Sequence, residues 1–236
     1  MPSYKEHVLV SIIMVFPFFP DIFYIALAVI GASIIDMDHR VNQKNITIIG
    51  LLGVILALIL YIFHFPYLVG VLIALMALLF YVSEHRGLMH SIIGIVFISA
   101  CVSFFVLGAH NLITQYTSLK VTLIIISLIL GIVILNKKIV PIYAFLIIVG
   151  LIFTSNLGFN IYYVSLAFFL GCLSHVILDL FTPSGVQLIN PISSIKFKKR
   201  AGFTLLAIWA GCVIASVVLY GNNFLSIVGF FSSSLI

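Results

Sequence analysis

Charged side chains are what this sequence has least of. Lys, Arg, Asp and Glu make up 7% of its 236 residues, against roughly a quarter in soluble domains. Hydrophobic residues make up 64% of the chain, more than a soluble core of this size could bury. The composition therefore excludes a soluble globular protein. It predicts an all-α fold, a polytopic integral membrane helical bundle that forms a single domain over residues 1–236.

Several chemical signatures are also absent. The three cysteines each lie within an apolar run, so we expect ordinary core residues rather than a disulfide framework. No H-E-x-x-H sequence occurs, which disfavours an intramembrane metalloprotease. The complete set of desaturase histidine boxes, a glycine-rich phosphate loop and an Arg-Pro/Ser-Gly-His phosphatase signature are missing too. No small-residue cleavage site follows the first apolar run, so we expect no removable signal peptide.

The apolar runs predict about eight or nine transmembrane helices, at about 20 residues for a full span. Pro17, Pro20 and Asp21 separate the first two runs, which favours two short helices over one kinked span. A mildly polar loop is expected up to Lys120, and a separate short tail after the last full span. The predicted runs are residues 8–16, 22–35, 46–63, 67–82, 92–107, 121–135, 139–153, 161–178, 203–220 and 224–236.

The basic residues predict the sidedness of these runs. If the loop at Arg40 and Lys44 faces the cytoplasm, ten of the 11 Lys and Arg residues lie inside and Lys120 alone lies outside, as the positive-inside rule expects. The net charge of +5 is then a topology signal, and we expect no nucleic-acid partner. The count includes Lys5 only if the first two runs form a hairpin. With that hairpin, the threading places His7 at the cytoplasmic face together with His39, His85, His90 and His175, and places His64 and His110 at the other face.

Acidic residues accompany these cytoplasmic histidines. His175 and Asp179 stand four residues apart on one face of a predicted helix, where they could bind one metal ion together. A polar helix cap is the plainer interpretation of an isolated pair, but further carboxylates recur beside histidines. Ionisable groups at a membrane boundary normally pair, bind an ion or line a wet cavity. The candidate metal ligands are His7, Asp36, Asp38, His39, His85, His90, His175 and Asp179.

Imidazole nitrogens and carboxylate oxygens suit a divalent metal ion, with zinc as the first choice and manganese or iron as alternatives. One ion with an open position would activate water near neutral pH, whereas two ions would clamp the oxygens of a phosphoester. Whichever of Asp36 and Asp38 does not bind metal is the expected general base, with Glu84 as the alternative. Arg86 could hold a phosphate, although a snorkelling arginine is the commoner explanation.

Four blocks of this sequence contain most of its histidines and acidic residues. They are Glu6-His7-Val8-Leu9, Asp36-Met37-Asp38-His39, residues 85–91, and residues 171–191 with Ser174-His175, Asp179, Thr182-Pro183 and Gly185-Val186. In this order the blocks resemble the YdjM-like family. The resemblance implies an inner-membrane, LexA-regulated, metal-dependent hydrolase. The sequence departs from the family pattern at Ile35, where a proline is usual, and at Met89, which replaces a threonine. Residues 121–153 look like an inserted hairpin, which would leave sidedness unchanged.

Together these patterns predict a multi-pass inner (plasma) membrane protein whose metal site faces the cytoplasm. We expect membrane lipids as surroundings and a lipid-linked or other phosphoester as the small-molecule or lipid substrate. Two alternatives stay open: a transporter that carries a divalent cation, and a structural metal site in a membrane scaffold. A transporter predicts polar groups near the middle of several spans, and few are seen. The sequence does not define the oligomeric state.

Overall fold

Nine α-helices and no β-strand occur in the part of the chain that the structure describes. This computed structural model describes residues 3–19, 21–39, 42–84, 86–154 and 158–233, and their side chains as far as residue 219. The helices are α1 Tyr4–Val15, α2 Ile22–Ile34, α3 Gln43–Ile62, α4 Leu68–Val82, α5 Ile92–Ile113, α6 Leu119–Ile134, α7 Val140–Phe153, α8 Ile161–Leu180 and α9 Lys199–Ser233.

The all-helical fold and the two short N-terminal helices are confirmed. Four segments are long and apolar enough to cross a membrane: α3, α5, α8 and residues Lys199–Leu219 of α9. The apolar helices α4, α6 and α7 are shorter. A membrane-embedded bundle therefore fits the structure, whereas the number of eight or nine crossings stays a prediction.

Two helices continue through a break that the sequence predicts. Helix α5 continues to Ile113 instead of ending near residue 107, and α9 runs unbroken to Ser233 instead of stopping before a separate tail. Polar residues suggested both breaks, yet neither segment contains proline, and even a glycine costs only about 1 kcal/mol in a helix. In α5 the Thr114 hydroxyl donates to the His110 carbonyl at 2.7 Å, which helps satisfy the helix end.

Helix α2 forms the centre of the bundle. Nearly all of its side chains are buried, and its main partner is α8. Glycines allow the two backbones to approach closely. A Cβ atom on Gly171 would lie 2.2 Å from the Ala28 carbonyl oxygen, and one on Gly31 would lie 2.5 Å from the Phe168 carbonyl oxygen. The last turns of α2 and α8 consequently lie side by side, at the end of the bundle that holds most of the buried polar residues.

Helices α1 and α9 close one flank of this pair. The Tyr4 hydroxyl contacts the Ser33 hydroxyl at 2.8 Å, which fixes the start of α1 beside the end of α2. The single tryptophan, Trp209 on α9, donates its indole N–H to the Met14 carbonyl at 3.0 Å. The beginning of α1 is thereby held next to the end of α8.

Helices α3 and α4 form a tight hairpin, and a long loop follows α8. A Cβ on Gly70 would lie 2.3 Å from the Ala57 backbone nitrogen, so the hairpin backbones are nearly in contact.

In the loop that follows α8, Val186 and Phe197 exchange two backbone hydrogen bonds of 3.0 and 2.8 Å. The Leu188 carbonyl accepts from the Ile92 backbone N–H at 3.0 Å, which anchors the loop to the start of α5.

Candidate metal site

Four chain segments bring their polar residues to one end of the bundle. They are the first turn of α1, a 3-10 turn at Ile35–Asp38 that extends α2, a 3-10 turn at Leu88–His90 that precedes α5, and the last turns of α8. Because α2 and α8 end there while α1 and α5 begin there, residues far apart in sequence lie close together. This end corresponds to the face that the basic residues predict to be cytoplasmic.

The imidazole of His175 has a defined orientation. Its Nδ1 lies 2.6 Å from the Ala32 carbonyl oxygen on α2, and because a carbonyl only accepts, Nδ1 carries the proton. In the neutral ring Nε2 then has no proton and carries a lone pair. This buried atom has no hydrogen-bond partner, and it lies 3.4 Å from Asp36 Oδ1 and 3.7 Å from Asp179 Oδ2. A lone pair that faces two carboxylate oxygens could share a cation with them.

His90 is oriented in the same way by a side chain. Its Nδ1 lies 3.3 Å from Asp38 Oδ2, and both side chains are fully buried. Its Nε2 lies 3.5 Å from Asp179 Oδ2 and 4.0 Å from Asp36 Oδ1. A carboxylate behind one ring nitrogen and a metal in front of the other is the usual arrangement of metal-binding histidines. The turn itself is fixed by Ser91, whose hydroxyl accepts from the Gly94 backbone N–H at 3.0 Å.

Four ligand-type atoms therefore converge: the Nε2 atoms of His90 and His175, Asp36 Oδ1 and Asp179 Oδ2. The four nitrogen–oxygen distances among them are between 3.4 and 4.0 Å. Two ligands of a tetrahedral ion with bonds of about 2.0–2.1 Å lie about 3.4 Å apart. The spacing within Asp36, His90 and His175 could therefore hold a divalent ion, with Asp179 Oδ2 close to both histidines.

His7 supplies a further candidate ligand. Its ring stacks on that of His175, with 3.9 Å between the ring centroids and 16° between the planes. It can form a metal-binding group with His175 and Asp179, just as Asp36 and His90 can with His175. His175 belongs to both groups, so the cluster could hold one ion or two. Glu6 caps the first turn of α1, which carries His7, by accepting from the Ser3 backbone N–H.

Arg86 lies at the edge of the cluster and is held by three side chains. Its Nη2 donates to Asp179 Oδ1 at 3.0 Å, and its Nη1 donates to the Thr182 hydroxyl at 3.0 Å and to the Ser184 hydroxyl. Its backbone φ of 63° lies in the left-handed region, which costs about 1 kcal/mol or more for a residue other than glycine. The guanidinium leaves the second oxygen of Asp179 directed at the two histidines.

The protonation states suit metal binding. Burial lowers the pKa of His90, and its contact with Asp38 offsets only part of that effect, so the ring stays neutral near pH 7. Burial alone would raise the pKa of Asp36, but His175, His90 and His7, when protonated, hold that pKa well below its ordinary value. A neutral imidazole and an ionised carboxylate are the forms that bind metal. The Asp36 side chain is 43% exposed, so water can reach it.

The structure brings together most but not all of the predicted site residues. Asp36, Asp38, Arg86, His7, His90, His175 and Asp179 meet in the cluster. His39 and Glu84 are exposed and belong to neither metal-binding group of the described residues. His85 lies outside the residues that the structure describes. His64 follows the end of α3, and His110 lies in the last turn of α5. Both helices begin near the cluster, so the two histidines lie at the opposite end of the bundle.

Sequence reasoning missed three contributors to the site. The Ala32 carbonyl orients His175, and no sequence pattern marks a backbone oxygen for such a role. The hydroxyls of Thr182 and Ser184 hold Arg86. Thr182 was marked only as part of the resemblance, and a hydroxyl close after an acidic helix end is the signal that could have found both.

Comparison with known proteins gives one match. A family model described as YdjM inner membrane protein matches residues 1–235. No curated protein and no solved structure matches this chain.

Proposed function

The chain belongs to the YdjM family of inner membrane proteins, and from its site we propose that it is a metal-dependent hydrolase of a lipid-linked or other phosphoester substrate. The observation that carries the proposal is the His175 Nε2 lone pair, buried and directed at two carboxylate oxygens. We propose His90, His175, Asp36 and Asp179 as the metal ligands, with His7 as a further ligand. The site would face the cytoplasm, because the basic residues favour that side.

The bound divalent ion would supply Lewis acidity and positive charge beside the reacting phosphate. Asp36 is the cluster carboxylate that water can reach, since its side chain is 43% exposed whereas those of Asp38 and Asp179 are buried. One Asp36 oxygen faces the histidines, and we propose that the other accepts the proton of the attacking water. This differs from the sequence expectation, in which the base is whichever of Asp36 and Asp38 does not bind metal, because here Asp36 does both.

The balance of the reaction is that of simple hydrolysis. The water oxygen forms a bond to phosphorus, its proton passes to Asp36, and the phosphorus–oxygen ester bond breaks. The departing alkoxide takes that proton from Asp36 and leaves as an alcohol, so Asp36 is ionised again. Arg86 would place its guanidinium beside a phosphate oxygen without leaving Asp179, because a guanidinium carries five N–H donors in a planar fork. Asp38 and the Ala32 carbonyl keep the two histidine rings in place.

Hydrolysis assays with the purified protein test this function. Substrates should include a soluble phosphomonoester, a phosphodiester and phosphatidic acid, each assayed before and after chelation and after addition of zinc or manganese. We expect chelation to abolish turnover and one of the ions to restore it. Asp36→Asn should lose turnover more than it loses the metal ion, because the amide can still bind weakly but cannot accept the proton. No hydrolysis of any substrate by a metal-loaded protein would contradict the proposal.

A further inference from the structure

An apolar groove runs along the bundle between the α3–α4 hairpin and the helices α5 and α6. Its volume is about 400 Å³, within the range of about 300–1,000 Å³ typical of small-molecule sites. Every residue that lines it is apolar or glycine. Its α3 wall, from Ile46 to Leu60, extends for about 21 Å at 1.5 Å per residue. This is about two thirds of a bilayer's hydrocarbon core.

One end of the groove lies beside the candidate metal site. Ile34 and Met37 line that end, and Met37 stands between Asp36 and Asp38 in the 3-10 turn. Neighbouring Cα atoms are about 3.8 Å apart, so the turn directs one side chain into the groove and the adjacent carboxylate toward His175. A single ligand could therefore present a polar group to the cluster and a hydrocarbon chain to the groove.

The other end of the groove narrows where α4 meets α5. A Cβ atom on Gly108 would lie 2.5 Å from a methyl carbon of Val69, so these helices touch there. Ala109 and Leu112 line the groove at the same level, near the end of α5. A chain that enters beside Met37 would reach Ala109 only if it were long.

The surroundings of the polar end favour an anionic head group. Arg86 lies in the cluster, and Thr182, which it contacts, also borders a cleft formed by residues 196–201. That segment contributes Lys196, Lys198, Lys199 and Arg200. Such a concentration of positive charge attracts phosphate groups at a membrane surface.

We infer that the groove binds one acyl chain of a phospholipid whose phosphate lies at the candidate metal site. The inference rests on the proposed function and makes its substrate a membrane lipid, with α3, α4, α5 and α6 as the chain-binding wall. The groove would select for chain length, because its narrow end lies near Ala109.

Photolabelling tests whether the groove binds the acyl chain, and it does not require turnover. The probe is phosphatidic acid with a diazirine at the end of one long acyl chain. It is incorporated with the protein into phosphatidylcholine nanodiscs. The nanodiscs are irradiated, and the labelled residues of the protein are mapped. We expect label at the narrow end, around Ala109 and Leu112. Label mainly on outward residues of α3 such as Leu51 and Leu58, which are 59% and 57% exposed, would overturn the inference. So would equal groove labelling by a phosphatidylcholine probe, which would make the occupant bulk lipid.

Filling the narrow end supplies the matched variants. Ala109→Phe, or Leu112→Trp if the first does not fold, should reduce groove labelling at least tenfold. The rate ratio for long-chain over short-chain phosphatidic acid should fall at least tenfold as well. Ala207→Phe adds the same ring to an exposed position of α9 and should change neither. Unchanged labelling in both groove variants would overturn the inference.

The two readouts separate this inference from the proposed function. If Ala109→Phe abolishes the groove labelling but the protein hydrolyses no substrate, lipid binding in the groove is supported and the hydrolase is refuted. If metal-dependent hydrolysis does not depend on chain length and the label spreads over the outer surface, lipid binding in the groove is refuted and the hydrolase is supported.

Discussion

At the scale of single residues, Asp38 and Asp36 have different surroundings although they are two positions apart. Asp38 is buried behind His90, 3.3 Å from its Nδ1, while Asp36 is part of the converging group and partly exposed. The 3-10 turn produces this difference because it directs the two carboxylates to different sides. In the proposed site Asp38 is therefore a positioning residue that acts through His90, and Asp36 is the residue that can meet both metal and water.

The change Asp38→Asn tests this division. The amide can place its oxygen or its nitrogen toward His90 but lacks the negative charge that strengthens the ring as a ligand. We expect the affinity for zinc to fall by about 10–100-fold, measured by competition with a chelating dye. Asp21→Asn is the matched control, because Asp21 caps α2 at the opposite end of the bundle and asparagine caps a helix equally well. Equal zinc affinity in Asp38→Asn and the wild type would contradict the assignment.

The sequence predicted the membership of the cluster better than the role of each member. Histidines and carboxylates at helix ends are rare enough in this chain that their types alone marked the site. Which side of a turn each one faces depends on packing, and so His39 is exposed while His7 is buried. The orientation of His175 depends on a carbonyl of another helix, which the sequence could not indicate.

At the scale of helices, the close crossing of α2 and α8 positions the site. It places the Ala32 carbonyl against His175 and the 3-10 turn against Asp179. The sequence predicted both helices from their apolar runs but could not show that Gly31 and Gly171 face each other. Glycine in a membrane helix has several uses, and only the packed structure distinguishes a helix contact from an open position.

The change Gly171→Ala tests the crossing. The added methyl group would lie 2.2 Å from the Ala28 carbonyl oxygen, so the helices must separate. We expect a loss of about 1–3 kcal/mol in the free energy of unfolding, seen as a lower melting temperature, together with weaker zinc binding. Gly211→Ala is the control, because no atom lies within 4 Å of its added methyl group and alanine favours a helix. Similar melting temperatures for the two variants would show that the crossing is not tight.

The basic segment at residues 196–200 covers the end of the long loop and the start of α9. We expect its four charges to bind anionic head groups at about 1 kcal/mol each and so hold the loop near the membrane surface. Replacing Lys196, Lys198, Lys199 and Arg200 by glutamine should speed proteolysis of the loop in phosphatidylglycerol vesicles. In phosphatidylcholine vesicles the wild type and the variant should be cleaved alike. Equal cleavage in both lipids would leave the segment with a role in topology only.

At the scale of the whole molecule, the helices divide the polar residues between two ends. Lys120 and His110 lie at one end, and the metal-site residues lie at the other with Lys44 and Arg86. The sequence predicted this division from alternating sides. It could not fix the number of crossings, because α4, α6 and α7 are apolar but short, and short helices can pack within a bundle.

Sidedness can be measured with single cysteines. In a background that lacks the three native cysteines, Asn111→Cys and Ser194→Cys place thiols at exposed positions of the opposite ends. A membrane-impermeant maleimide added to intact cells should label residue 111 and should label residue 194 only after lysis. Labelling of both in intact cells would refute the common cytoplasmic face. Labelling of residue 194 alone would reverse the orientation.

The central claim is that the cluster holds a divalent metal ion. Its most direct test is the metal content of the purified protein, measured by mass spectrometry for the wild type, His175→Ala and His64→Ala. The account predicts that the wild type and His64→Ala retain the ion, because His64 is exposed at the opposite end, and that His175→Ala loses most of it. Full metal occupancy in folded His175→Ala would contradict the account.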